Sequence, residues 1–468
     1  MQYARKLASG EGTTDGGTQG LPGHHPDFNN DNVLTKLLAE IDKLPEEKHN
    51  ESEAAFIAEM EEAIAAAVQE AEGNPKSLCE AQSFPDWHCW KEAMDRKIQS
   101  LQEASTWETV LCPPDKNIVG CKWVYQHKCK ADGSTNKYKA HLVAWGFSQI
   151  YGVDYLDTYS PVAKLASFRT ILVLAARFDW EVKCFDFNLA YLNGELEELE
   201  EIYMEQLPGY EEGGKDFVKR LRKALYGLKQ AGRRWYDTFK RELADLGFHT
   251  STANPRVFYA WIGDSILVVA AHVDDCTMTG ESGKLITVYK AKLNDKFPLT
   301  DLGPISSLLG IQVTCDQAAC TISLSQTTYI NQILTHFSLT DAKAYATPMV
   351  PAASYSKRNS PSSPSDTVRM CKVPYRKAIG SLMYAAVATC PDIAFAVLAL
   401  LQFLENLGEA YWQAVKQVFH YLAGTCSYVL TYGAEQHNLL GYTDADGASQ
   451  EHHHAISGYA FLIACCRR

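Results

Sequence analysis

No C-x-x-C pair occurs anywhere in this 468-residue chain, although it holds 14 cysteines. Only Cys465 and Cys466 stand close together. Zinc ribbons, zinc fingers and thioredoxin-type sites all need closely spaced thiols, so the spacing excludes them. Thiols scattered along a chain without a secretory leader read as reduced, which points to an intracellular setting. The first twenty residues are polar and rich in Gly and Thr, with no apolar stretch of the kind a signal peptide requires. A long hydrophobic run is also missing. The nearest candidate, Ile393 to Leu404, spans about twelve residues and contains Gln402, against the roughly 20 needed to cross a bilayer. Net positive charge is absent as well: the formal charge is -12, which at first argues against a polyanionic partner.

The distribution of charge reverses that argument. Residues 1–86 hold 17 acidic and 6 basic side chains, a balance of -11; the remaining 382 residues hold 39 and 38, a balance of -1. The acidity therefore belongs to an N-terminal arm, and the rest can carry local basic patches. At 46% hydrophobic the chain can bury a large core, and its length allows about three domains.

Residues 1–50 have little periodicity and read as disordered. Glu51 to Glu72 is an Ala/Glu-rich amphipathic helix. Helical spacing returns at Trp87 to Leu101. Two strands, Ile118 to Lys128 and Asn136 to Trp145, flank an Asp132-Gly133-Ser134 turn. Ala166 to Arg177 reads as a helix, and Val182 to Phe187 as a short buried strand. Val218 to Phe248 reads as a long helical stretch broken near Gly232. Ser265 to His272 is an apolar strand that can pair with Cys276 to Gly280. Residues 351–372 are rich in Pro and Ser and read as a linker. A helical pair over Ile379 to Leu404 and Ala410 to Leu422 follows, and Asn438 to Cys465 begins another hairpin.

The sharpest chemical feature is a set of acids at strand ends far apart in sequence: Asp186 after VKCF, and Asp274 with Asp275 after SILVVAAHV. Crowded carboxylates repel unless a cation neutralises them. Hard divalent cations take such oxygens together with substrate phosphates, and two of them can clamp an in-line phosphoryl displacement. Spacing alone leaves a plainer reading open, and it is the commoner one: acids in surface turns.

The surrounding words point further. TWETV (106–110), the long stretch 119–172, CFDFNLAYLNGEL (184–196), EIYMEQLPGY (201–210), KALYGLKQAGRRWYDTF (223–239), HVDD (272–275), LTDLG (299–303) and LLGIQV (308–313) resemble, in order and spacing, the reverse transcriptase of copia-type LTR retrotransposons. The resemblance runs from about Pro85 to Cys466.

It implies an α+β fold. Fingers and a palm with an antiparallel sheet would occupy 85–348, after an acidic arm at 1–84. A linker at 349–372, a helical connection at 373–434 and the start of an RNase H domain at 435–468 would follow. It also implies template-directed addition of dNTPs to a primer 3′-OH, on RNA or DNA, with two Mg²⁺ ions that Mn²⁺ could replace. Asp186 and Asp274 would hold the metals, with Asp275 alongside as a third catalytic acid. Lys139 would meet the triphosphate, Gln230 would touch the incoming nucleotide, and Tyr191 would reject a ribose 2′-OH or else serve as a core aromatic. The nine basic residues of 219–241 would lie beneath the nucleic acid, with Lys229, Arg233 and Arg234 the expected contacts and Trp235 and Tyr236 in the core. Asp444 matches the first RNase H aspartate, but that fold needs further carboxylates than one hairpin provides. His452 to His454 read as an altered loop rather than a metal site. The family copies itself in cytoplasmic particles before nuclear integration, which sets the expected location.

Several family positions differ. His272 stands for Tyr, His141 for Arg, Trp145 for Lys and Gly232 for Pro, and LEELEEIYM is longer than the family word. Two fingers positions thus lose a dependable positive charge. The alternative function is therefore a catalytically inactive retroelement fragment that at most binds nucleic acid.

Overall fold

The computed structural model describes residues 74–129, 135–197, 200–350, 360–361, 363–404, 407–433, 440–445 and 457–462. The acidic arm with its expected helix, the 132–134 turn, most of the 351–372 linker and His452 to His454 lie outside these residues.

Apolar residues three and four apart build the helix Trp87–Glu103, which buries Trp90, Met94, Ile98 and Leu101 on one face. That face packs on a long antiparallel hairpin, Cys121–Cys129 with Thr135–Ala144. Trp123, Tyr125, Ala140 and Leu142 fill the space between them. Beside this layer lies a small four-stranded sheet. Its strands run in the order Trp107–Leu111, Phe217–Leu221, Tyr203–Met204 and Ile118–Val119.

The central sheet has six antiparallel strands. Their order is Leu299–Pro304, Glu181–Phe187, Asp275–Gly280, Ser265–His272, Val257–Ile262 and His249–Thr250. Alternation decides its two faces. Phe185 and Phe187 point with Val269, Ala271, Cys276 and Met278 into a core closed by the helices Ala231–Asp245 and Gly283–Lys296. The even-numbered residues of Glu181–Phe187, Asp186 among them, take the other face. Trp235, Phe239 and Phe187 are fully buried here with rings 5.3 Å apart. Burying each such side chain is worth about 1.5–3 kcal/mol.

A third core is mainly helical. Thr327–His336, Tyr375–Ala388, Ala394–Leu401 and Glu409–Thr425 enclose Tyr411, Phe419, Ile379 and Leu382. A further four-stranded sheet, ending on Leu430–Gly433, borders it. Mixed helices and antiparallel sheets thus bear out the α+β class.

Four elements differ from the sequence reading. The strand expected over Ile118 to Lys128 divides at Gly120, with Ile118–Val119 in the small sheet and Cys121–Cys129 in the long hairpin. The stretch beginning at Val218 starts as the strand Phe217–Leu221, and its helix covers only Ala231–Asp245. Gly232 sits in that helix's first turn rather than at a break. The apolar run after Ile379 is interrupted, because Pro391 opens a separate 3₁₀ turn, Pro391–Ile393. Within the expected linker, Ser363 caps a short helix, Pro364–Met370. No helix among the described residues is long and apolar enough to cross a membrane.

Candidate active site

Asp186 and Asp275 are direct cross-strand partners in the central sheet. Like charges placed opposite each other destabilise a strand pair, so this register has a cost that a bound cation would remove. Asp274 occupies the two-residue turn between the strands ending at His272 and beginning at Asp275. Its carbonyl accepts the Phe187 N–H at 3.0 Å, tying the turn to the strand that carries Asp186. The three sequence-predicted acids therefore meet at one edge of the sheet, and His272 continues the same row as the partner of Asp275.

Val273, the other turn residue, has φ +58°. A β-branched residue is rarely found there, and such strain persists only where the surroundings enforce it. Here the Trp235 indole N–H donates to the Val273 carbonyl at 2.7 Å. A fully buried tryptophan from the supporting helix thus fixes the turn that presents the acids.

Tyr226 reaches the site from the other side. Its hydroxyl donates to Asp274 Oδ2 at 3.1 Å, and its ring packs edge-on against Tyr191 at 4.3 Å. Burial pushes the Tyr226 phenol well up, and the negative charge of Asp274 adds to that, so the phenol stays a proton donor to the carboxylate. Gly227 follows with φ +92°. A side chain there would run into the Ala144 carbonyl and Val143, which is why the loop can press so closely on the hairpin.

His141 lies 6.1 Å from the Tyr226 ring, centroid to centroid. Lys139, two residues earlier on the same strand face, contributes the charge that opposes protonation of Lys97. The Lys97 ammonium stands 6.0 Å from the Tyr226 ring. Burial, reinforced by Lys139, brings the Lys97 pKa down to about 8. Lys97 and His141 therefore lie beside the Tyr226 ring, with Lys139 close to Lys97. Sequence reasoning singled out Lys139 but not Lys97, whose only signal was a helical position one residue before the buried Ile98.

Two expected contact residues turn inward. Gln230 is fully buried. Its amide donates to the Asp154 carbonyl at 2.9 Å and accepts from Gln149 at 3.1 Å. Arg234 forks onto Glu200 at 2.8 and 2.9 Å and also pairs with Glu197. Both glutamates come from the lengthened LEELEEIYM word; Glu200 forms a buried ion pair with Arg234, and Glu197 joins it from the surface. Much of the basic stretch is neutralised in the same way. Lys219 meets Glu212, Arg220 meets Glu108 and Glu201, Arg222 meets Glu108, and Arg233 meets Asp157 and Asp237. Lys229 is exposed, its ammonium donating to the Tyr155 hydroxyl at 2.9 Å. Trp235 and Tyr236 are buried as expected.

Asp444 lies apart, on the two-stranded hairpin Leu440–Ala445 with Ser457–Leu462, and has Gly458 as its partner.

The donor set suits a hard cation: carboxylate oxygens at adjoining strand ends. Among the described residues no group of three His, Cys, Asp or Glu side chains is placed to hold a metal ion. An open pair of carboxylates is nevertheless the form in which Mg²⁺ is usually held, water and phosphate completing the shell.

Comparison with known proteins identifies the family. A family model described as reverse transcriptase (RNA-dependent DNA polymerase) matches residues 104–351, the part that contains the acids, Tyr226 and Lys139. The retrovirus-related Pol polyprotein from transposon TNT 1-94 of Nicotiana tabacum is 40% identical over 393 residues, covering 83% of this chain and 29% of that protein. The corresponding polyprotein from transposon RE1 of Arabidopsis thaliana is 35% identical over 378 residues, covering 80% and 25%. The chain thus spans less than a third of the length of these curated relatives. It belongs to the reverse transcriptase (RNA-dependent DNA polymerase) family, as the polymerase region of a copia-type retrotransposon Pol polyprotein.

Proposed function

We propose that this chain extends a primer 3′-OH with dNTPs on an RNA or DNA template, Asp186 and Asp274 holding two divalent ions with Asp275 beside them. The observation that carries the reading is the Asp186–Asp275 cross-strand pair, held next to Asp274 by the Phe187 N–H and the Trp235-braced turn. Bound Mg²⁺, or Mn²⁺ in its place, supplies activation of the primer hydroxyl and neutralisation of the leaving pyrophosphate. The residues supply position. The sheet fixes the carboxylates, Tyr226 orients Asp274 by its hydroxyl, and Lys139 with Lys97 presents positive charge to a triphosphate. Tyr191, packed edge-on against Tyr226, would lie near the sugar of the incoming nucleotide. In this reading the sheet is the palm, the hairpin Cys121–Ala144 belongs to the fingers, and the terminal hairpin is the start of an RNase H domain.

A second reading, nucleic-acid binding without turnover, draws support from His141 and Trp145 in place of dependable cations. One assay separates the two: dTTP incorporation on poly(rA)/oligo(dT) with Mg²⁺ and then Mn²⁺, beside Asp274→Asn. Incorporation that disappears in the variant supports the polymerase. A folded protein that binds the duplex in a salt-dependent way but incorporates nothing supports the second reading.

A further inference from the structure

An exposed pair of aromatic rings borders the proposed polymerase site. Trp145 and Phe147 stack at 5.6 Å with an interplanar angle of 23°, and they remain 37% and 80% exposed. They wall an open cleft of about 410 Å³, whose other lining includes Lys122, Val143, Gly227 and Lys229 and no acidic residue.

The platform is built rather than loose. The Trp145 N–H donates to the Gly120 carbonyl at 2.7 Å, and its indole lies so close over Gly120 that any side chain there would collide with the ring. Gly146 abuts the Gly227 carbonyl in the same manner. A short 3₁₀ turn, Gly146–Ser148, then carries Phe147 outward. Rigid aromatic faces flanked by cations match one ligand class. Bases stack on such rings whatever their identity, and phosphates settle near the lysines. A purely apolar peptide would leave both charges unused.

The location ties the cleft to the acids. Tyr226 donates to Asp274, while Gly227 and Lys229, in the same loop, line the cleft. We propose that the Trp145–Phe147 cleft stacks an unpaired base of single-stranded nucleic acid, the template strand beside the primer terminus. This rests on the polymerase reading above. It also gives Trp145 a use: in place of a point charge, the chain presents a stacking surface.

The test is fluorescence anisotropy with the full chain and labelled primer–templates, without dNTPs, comparing a blunt duplex with one carrying a 5′ template overhang. The wild type should bind the overhang form more tightly, by about ten-fold for one stacked base. Phe147→Ala and Trp145→Ala should each erase most of that gain and leave blunt-duplex affinity unchanged. An overhang made of abasic units should lose the gain too. A separate reading comes from 2-aminopurine at the first overhang position, whose fluorescence should be quenched on binding to the wild type. An overhang gain that survives both substitutions, or a base that is not quenched, overturns the proposal while leaving the polymerase reading intact. Failure to bind either duplex overturns both.

Discussion

Two antiparallel hairpins in this chain carry an aspartate near a strand end, and their surroundings could hardly differ more. The hairpin Ser265–Gly280 lies inside a six-stranded sheet, with its first strand almost wholly buried. Its turn is fixed by a buried indole, and its acids meet a third from the neighbouring strand. The hairpin Leu440–Leu462 pairs only with itself among the described residues, and every residue of Leu440–Ala445 is exposed. A carboxylate becomes a catalytic candidate through what its neighbours impose. Neighbouring acids let it share a cation, and a rigid frame holds it where they meet. Asp274 has both conditions; Asp444 has neither.

The strongest way to break this comparison is to remove each charge. Asp274→Asn is expected to lower dTTP incorporation by about 10³-fold, the scale of losing a preorganised electrostatic group. Asp444→Asn in the same assay should leave the rate unchanged. Equal losses would mean that the exposed hairpin also takes part in the chemistry.

The frame itself can be tested next. Arg234, expected to grip nucleic acid, is instead buried on Glu200. Removing one partner of a buried ion pair leaves an uncompensated charge, so Arg234→Ala should cost about 3–5 kcal/mol in urea unfolding. Arg233→Ala, whose acid partners are half exposed, should cost under about 1 kcal/mol. The basic composition of 219–241 was plain in the sequence. The pairing of those charges was not, because Glu108, Glu197, Glu200, Glu201 and Glu212 come from other elements. For the acids the situation was the reverse. Apolar strands ending in Asp186 and in Asp274-Asp275 could be read directly, because an apolar strand buries its body and exposes its end. Tyr226 and Lys97 were hidden, since neither a loop tyrosine nor a helical lysine signals what it will face after folding. The break at Pro391 was available from the residue itself and was overridden by the apolar run around it.

Lys97 sharpens the comparison through pH. Its ordinary pKa is 10.5 and the fold lowers it to about 8, so the folded state disfavours the charged form. Below pH 8 both folded and unfolded lysines are protonated and the full penalty applies. Between about 8 and 10.5 the folded lysine releases its proton first and the penalty fades. Lys97→Met should therefore stabilise the protein at pH 7 by about 1–3 kcal/mol, the scale of a desolvated group without compensation. The gain should shrink as the pH approaches 10.5, followed by urea midpoints across that range. A gain that grows with pH would reverse the assignment. If Lys97 also binds triphosphate, the stabilised variant should show a higher KM for dTTP. That would make the lysine a residue whose cost to stability is retained for function.

The smallest effect is expected from cutting the exposed hairpin away. Ending the chain after Gly433 keeps the strand Leu430–Gly433, which pairs with Thr321–Ser325 and closes the sheet beside the helical core. It removes Tyr442, Tyr459 and Phe461, which are 58, 77 and 62% exposed and so return almost no buried apolar area to the fold. Surface groups of this kind change stability by about 0.5 kcal/mol or less, and the thermal midpoint should move by no more than a few degrees. Incorporation should be unaffected. Solubility should improve, because an exposed two-stranded ribbon with apolar side chains and free edges is a template for association. A large drop in the midpoint would show that the hairpin packs on the rest of the protein, and the contrast between the two aspartates would then need a different explanation.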